Sequence, residues 1–233
     1  DPSTLCRGAS YDLRRILGEP RDQQPRQRPS PRMTQRGGRR EATKQANRAA
    51  ILAAAREAFV ESGYGATTVR DIVRRTNLAS GTFYNYFPDK ESVLRALVAE
   101  TAGEARARVR AARRAARTLE AFVRDGFDAY FRYLLEDRAT TELLRRNQGT
   151  IRALFDEPSL VAGVDELAED LREAIAAGIV PDHDVEVMAA AMVGAALELG
   201  ARLIDDPQPD VRRAVDVLTT VFVAGLTALG ANE

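Results

Sequence analysis

Residues 67–94 read TTVRDIVRRTNLASGTFYNYFPDKESVL. Thr68-Val-Arg-Asp71 has the spacing of a capping box, in which a threonine hydroxyl and an acidic side chain satisfy each other's backbone N–H groups at a helix start. Val69, Ile72 and Val73 supply the apolar side of a short helix beginning at about Val69. Thr76-Asn77-Leu78 interrupts it, and a second short helix is expected from Ala79 to Tyr86. In Phe87-Pro88-Asp89 the proline suits the opening of a new helix and not the continuation of an old one. Two short helices across a tight turn have helix-turn-helix spacing.

The flanks are helical too. Upstream, Ile51, Ala55, Ala58 and Phe59 recur at 3.6-residue spacing from Ala42 onward, and Ser62-Gly63 offers a place to stop, since glycine accepts positive φ. Downstream, a long helix is expected from about Asp89 toward Arg114, with Val93, Leu94, Leu97 and Val98 inward. Thr118 looks like the next cap, ahead of an aromatic stripe from Leu119 to Leu134. Further helices are expected over 139–155, 158–177, 182–204 and 208–229, and no alternation long enough for a strand is present. The fold class is all-α.

Residues 1–40 hold five of the ten prolines and repeated arginine, so they read as a disordered basic arm, and residues 1–32, ahead of Met33, as an upstream extension. Residues 41–88 then form the helix-turn-helix domain and 89–233 a helical bundle. Net charge is zero, but residues 1–117 carry 24 Lys and Arg against 12 Asp and Glu, whereas 118–233 carry 10 against 22. One half suits phosphates and the other does not. The arginine run Arg106, Arg108, Arg110, Arg113, Arg114 and Arg117 reads more simply as a solvated helix face.

Other function classes lack parts. The only cysteine is Cys6 and the only histidine His183, set between Asp182 and Asp184 at a helix start, so neither a nucleophile-and-base pair nor a zinc site is available. No enzyme, metal or cofactor is expected. The apolar stretch Val187 to Leu197 is too short to span a bilayer and no secretory segment is visible, so the cytoplasm is the expected location and no membrane partner is anticipated.

The physical case for DNA rests on small and amphipathic residues. Ala79, Ser80, Gly81 and Thr82 would let a recognition helix approach base edges in a major groove. Tyr84 joins an apolar ring to a hydroxyl that can reach a phosphate, and Asn85 offers an amide. Lys90 is a cation in the first turn of a helix, disfavoured by the helix dipole unless something negative is nearby, such as a phosphate. Thr67 or Thr68 divides its hydroxyl between capping and phosphate, and Arg39, Arg40 and Lys44 could reach along the backbone.

The same stretch resembles the DNA-binding segment of the TetR family, in which the helix-turn-helix ends in a Gly-Thr-aromatic-Tyr run followed by an aromatic pair and a lysine. Here these are Gly81, Thr82, Phe83, Tyr84, Tyr86, Phe87 and Lys90. The resemblance covers residues 44–98 and extends to the remainder only as helix count and length. It implies a homodimer on a palindromic double-stranded DNA operator, usually as a repressor, released when a small-molecule effector moves the long helix after the reading head. It also implies pairing of the last two helices with a second subunit, which their wide apolar faces fit: Ala191, Ala195 and Leu199, then Leu218, Val221, Phe222 and Gly225. Candidate pocket residues are Phe122, Phe127, Tyr130, Phe131, Phe155, Met188 and Met192, for a lipophilic or amphipathic molecule. Glu198 would suit a cationic ligand and Arg145, Arg146 and Arg152 an anionic one, so the residues leave the headgroup open. The rival from a different class is an architectural DNA-binding protein without a ligand.

Overall fold

A computed structural model describes residues 31–152 and 158–230. The chain divides into two units, Asp1–Ala42 and Thr43–Glu233. Of the first unit, residues 31–42 are described and are helical, where composition suggested an irregular arm; Arg39 and Arg40 are exposed. The rest of the expected arm, residues 1–30, lies outside the described residues.

All the described elements are helices. They are α1 (Pro31–Ala66), α2 (Val69–Arg74), α3 (Ser80–Tyr84), α4 (Lys90–Ala115), α5 (Leu119–Glu136), α6 (Arg138–Arg146), α7 (Gln148–Arg152), α8 (Pro158–Ala176), α9 (Val185–Asp205) and α10 (Val211–Gly230). Thr68 and Thr118 cap their helices as expected, and Asp89, Asp137 and Asp184 do the same for theirs: each accepts a hydrogen bond from a backbone N–H in the first turn of the following helix. At Gly63 (φ 76°, ψ 160°) the regular path of α1 breaks, in a backbone region that a side chain would strain.

Two cores share α4. The first gathers Ile51, Ala55 and Phe59 of α1, Ile72, Phe83, Phe87, and Val93, Leu94 and Leu97 of α4. The second joins Phe122, Phe127 and Phe131 of α5 to Leu167 and Leu171 of α8, Met192 of α9 and Leu226 of α10. Each large apolar side chain so buried contributes roughly 1.5–3 kcal/mol before conformational entropy is subtracted. Packing of α4 against α5 and α8, and of α5 against α9 and α10, builds the bundle.

Two expectations need correction. The segment expected as one helix over 139–155 is divided at Asn147, which has non-helical backbone angles and separates α6 from α7. The amide of Asn147 is 3% exposed: its Oδ1 accepts from Tyr64 N–H at 2.7 Å and its Nδ2 donates to Leu143 C=O at 2.7 Å. A bond across the fold therefore sets a break that local propensity does not call for. Taken over their full lengths, α9 and α10 are also long and apolar enough to cross a membrane by composition, unlike the shorter stretch Val187 to Leu197. One side of each packs into the second core, while Val187, Val217, Val221 and Leu229 stand exposed.

Candidate functional site

The turn between α2 and α3 is held from both ends. Thr68 Oγ1 accepts from Asp71 N–H at 3.2 Å while the Asp71 carboxylate accepts from Thr68 N–H at 2.9 Å, which is the capping box the spacing predicts. Hydrogen bonds from the Thr68 side chain and backbone hold the Asp71 carboxyl below its ordinary range. In the turn, Thr76 Oγ1 donates to Val73 C=O and accepts from Leu78 N–H. This fixes the start of α3, whose N-cap Ala79 makes no side-chain capping bond.

On α3, Phe83 is fully buried against Phe87, with ring centroids 6.2 Å apart, so it pins the helix to the core. Tyr84, one residue on, is 58% exposed, and Ala79, Ser80, Gly81 and Asn85 are exposed with it. A methyl group on Gly81 would meet no atom within 4 Å, so packing within the chain does not require glycine there. Thr82 is half-buried, and the half-buried Tyr86 accepts a 3.2 Å bond from Asn47 Nδ2. Lys44 is exposed on α1.

Two sequence candidates are engaged inside the chain. Thr67 is buried, and its hydroxyl is directed to Gly63 C=O at 2.7 Å and Ala58 C=O at 3.2 Å, so Thr68 is the exposed member of the pair. Lys90 Nζ donates to the carbonyls of Tyr64 at 2.8 Å, Thr67 at 2.9 Å and Gly65 at 3.3 Å, and lies 4.4 Å from the centre of the Tyr64 ring. An ammonium has three donors. The partial negative charge that a cation in a helix's first turn requires is thus supplied by carbonyls at the end of α1.

Behind this head a cavity of about 550 Å³ runs between α4, α5, α8 and α9, closed toward the head by Leu144, Gln148 and Ile151 of α6 and α7. Phe127, Tyr130 and Met192 line it. Phe122 and Phe131 are buried in the second core instead, Met188 is half-buried against that core, and Phe155 lies outside the described residues. Burial alone pushes the Tyr130 hydroxyl far above its ordinary range, so it stays neutral there. Glu198 also lines the cavity, partly exposed and 3.2 Å from Arg202. Arg145 and Arg146 are not part of the wall: both pair with Glu142, which they hold down to about 2. The Arg152 side chain lies outside the described residues.

The description that matches residues 51–97 is that of the bacterial regulatory proteins of the tetR family. The chain carries a TetR-family DNA-binding domain. The HTH-type transcriptional repressor KstR2 of Rhodococcus jostii is 36% identical over 90 residues, 37% of this chain and 44% of that protein. The match therefore spans less than half the length of that relative. Among solved structures, FadR from Bacillus subtilis in complex with stearoyl-CoA superposes with a TM-score of 0.63 at 23% identity, over 76% of this chain and 97% of that one. A TetR-family regulator from Pectobacterium atrosepticum gives 0.62 at 24% identity, over 81% and 96%. FadR from Bacillus halodurans gives 0.62 at 23%, over 75% and 93%. At these identities the likeness establishes that the TetR-type fold continues beyond the reading head.

One part of this TetR-type bundle contradicts the solvated-face reading of the arginine run. Arg106, Arg110 and Arg113 of α4 line the cavity opposite Glu166 and Asp170 of α8. The Asp170 side chain is 3% exposed and that of Arg113 12%. Desolvation lowers Arg113 to about 10 against the opposing pull of Asp170, and desolvation raises Asp170 against the pull of Arg113 and Arg110. The signal was available in the spacing: Arg106, Arg110 and Arg113 share the α4 face of Val98, Ala102, Ala105 and Val109. His183, by contrast, sits where expected, beside the α9 cap, with Nδ1 2.8 Å from Pro181 C=O. Among the described residues no cluster of His, Cys, Asp or Glu could hold a metal ion.

Proposed function

We propose that this protein is a dimeric, ligand-responsive transcriptional repressor of the TetR type, acting in the cytoplasm on a palindromic operator and not as an enzyme. The observation that carries the reading is continuity: α4 begins beneath the helix-turn-helix, in the core that fixes α3, and its next turns form a wall of the cavity. A molecule that fills the cavity in one α4 position and not in another shifts the balance between them, and the reading head moves with α4.

On DNA, α3 enters the major groove with Ala79, Ser80, Gly81 and Thr82 leading, while Tyr84 and Asn85 reach the backbone or a base edge. The open space around Gly81 supports close approach, since the chain itself has no use for the missing side chain. Thr68, Lys44 and Tyr86 add backbone contacts. Through the neighbour solved with stearoyl-CoA, the apolar walls around Phe127, Tyr130 and Met192 favour an amphipathic effector.

The second copy docks on α9 and α10. Ala191, Gly225 and Val221 are exposed there, Ala195, Leu199 and Phe222 half-buried, and only Leu218 among the expected contacts is consumed by the chain's own core. Selection of genomic fragments with the purified full chain tests the proposal. A sharp palindrome bound by wild type and weakened in Tyr84→Ala is expected; diffuse, salt-sensitive binding in both would instead establish an architectural protein.

A further inference from the structure

The cavity is two-sided in chemistry as well as shape. Its α4 wall runs from Val98 to Arg113, about 22 Å of helix. At the Val98 end the facing residues are Leu144 and Ile151, and at the other end Arg106, Arg110 and Arg113 meet Glu166 and Asp170. Arg106 is matched by Glu166 at 3.1 Å. Arg110 and Arg113 share the Asp170 carboxylate at 3.3 and 3.6 Å, so one buried carboxylate serves two guanidinium groups, while the third wall carboxylate, Glu198, pairs with Arg202. Glu169 reaches Arg110 at 3.4 Å but is largely in solvent, where its charge is screened.

The hydrogen bonds at this end are incomplete. Arg110 Nε, Arg113 Nε and Asp170 Oδ1 are buried and make none, the Arg110 and Asp170 atoms being close but misaligned. Buried polar atoms in folded proteins are nearly always paired, and an unmet one calls for a reason. Arg113 is also held in place with no help from a complete ion pair. Its guanidinium lies 5.8 Å from the centre of the Phe122 ring, and its Nε rests over Gly126, where a methyl group would come within 2.9 Å. A planar donor fork, positioned by packing and short of acceptors, matches an oxyanion that can take two parallel N–H bonds.

We infer that this end of the cavity is a headgroup site for an anionic amphipath, in which Arg113 and Arg110 donate to a carboxylate or phosphate while the tail lies along the apolar wall toward Ile151. The anion supplies the acceptors that Asp170, shared between two guanidinium groups, does not. This inference rests on the ligand-responsive reading above and adds to it the charge of the ligand and the residues that read it.

The test is calorimetric titration of the full chain with dodecanoate, dodecyl phosphate and dodecanol, which share one tail. At least one anionic probe is expected to bind about tenfold or more tightly than the alcohol, because a hydrogen bond to a charged group is worth at least that much. Comparing the two anions tells a carboxylate ligand from a phosphate one. Arg113→Met alone would leave the buried Asp170 to Arg110, so the double variant Arg113→Met, Asp170→Asn is measured beside it, with a melting curve as the folding control. In the folded double variant the preference for the anion should fall severalfold, Arg110 being left as the remaining donor. Equal binding of alcohol and anions, a preference undiminished by the double substitution, or no binding of any probe would each overturn the headgroup site. The broader reading fails on a different observation: a chain that binds dodecanoate with the expected selectivity but selects no DNA sequence retains the site and loses the regulator.

Discussion

Lys90 and Tyr84 lie near each other in sequence and do different work. The Lys90 ammonium ties α4 to the carbonyl end of α1 through three hydrogen bonds. Lys90→Met should therefore destabilise the DNA-free protein by about 1–3 kcal/mol, since it strands carbonyls that the ammonium now serves. Tyr84→Ala, at an exposed position, should change stability by no more than about 0.5 kcal/mol yet weaken operator binding. Chemical denaturation of both variants without DNA checks the first claim, and operator titration the second. Unchanged stability in Lys90→Met together with lost DNA binding would restore the ammonium to a phosphate contact. A lysine in the first turn of a helix marks a place that needs negative charge; the sequence could not say whether that charge came from DNA or from the chain, because the carbonyls of Tyr64, Gly65 and Thr67 converge only in the folded corner.

At the scale of elements, what was legible was what is encoded locally. Thr68 and Thr118 announce their helices with one side chain each, and Gly63 its break by the absence of one. The division of α6 from α7 was not legible, because Asn147 is tolerated in a helix and its reason for leaving one is a bond to Tyr64, 83 residues earlier. The inward face of the arginine run, Arg106, Arg110 and Arg113, was missed on similar grounds, while Arg108, Arg114 and Arg117 are exposed as expected: a charged helical face looks solvated until Asp170 arrives from another helix. Asn147 also shows what the α6–α7 corner does. Leu143 belongs to the core of the reading head, Leu144 and Gln148 to the cavity wall, and Arg146 donates to Glu61 C=O at 2.8 Å on the α1 side. Asn147→Ala removes both amide bonds and should cost about 1–3 kcal/mol of stability. It should also shrink the factor by which the effector weakens operator binding, measured as operator affinity with and without ligand. An unaltered factor would mean that α4 alone carries the coupling.

The whole molecule has an asymmetry that a single copy does not explain. Residues 41–88 carry 6 Lys and Arg against 4 Asp and Glu, whereas residues 89–233 carry 18 against 26, so the bundle is repelled from DNA and the reading head is not. Only the bundle is left to face a partner, and its last two helices expose Val187 (65%), Val217 (51%) and Val221 (58%) among small residues. A two-fold axis through that face would bring each patch against its own copy, so one acidic substitution is introduced twice, as like charges in a desolvated interface. Val221→Glu is accordingly expected to yield a folded monomer by sedimentation, since its own core residues Val215, Leu218 and Leu226 are untouched. Its operator affinity should fall steeply because two half-sites are no longer engaged at once, while the single-head contact, dominated by phosphates, persists at low salt. A monomeric Val221→Glu protein with full operator affinity would show that one reading head suffices and that the operator need not be palindromic. A dimeric one would move the interface off α10, leaving the exposed valines without a partner among copies of this chain.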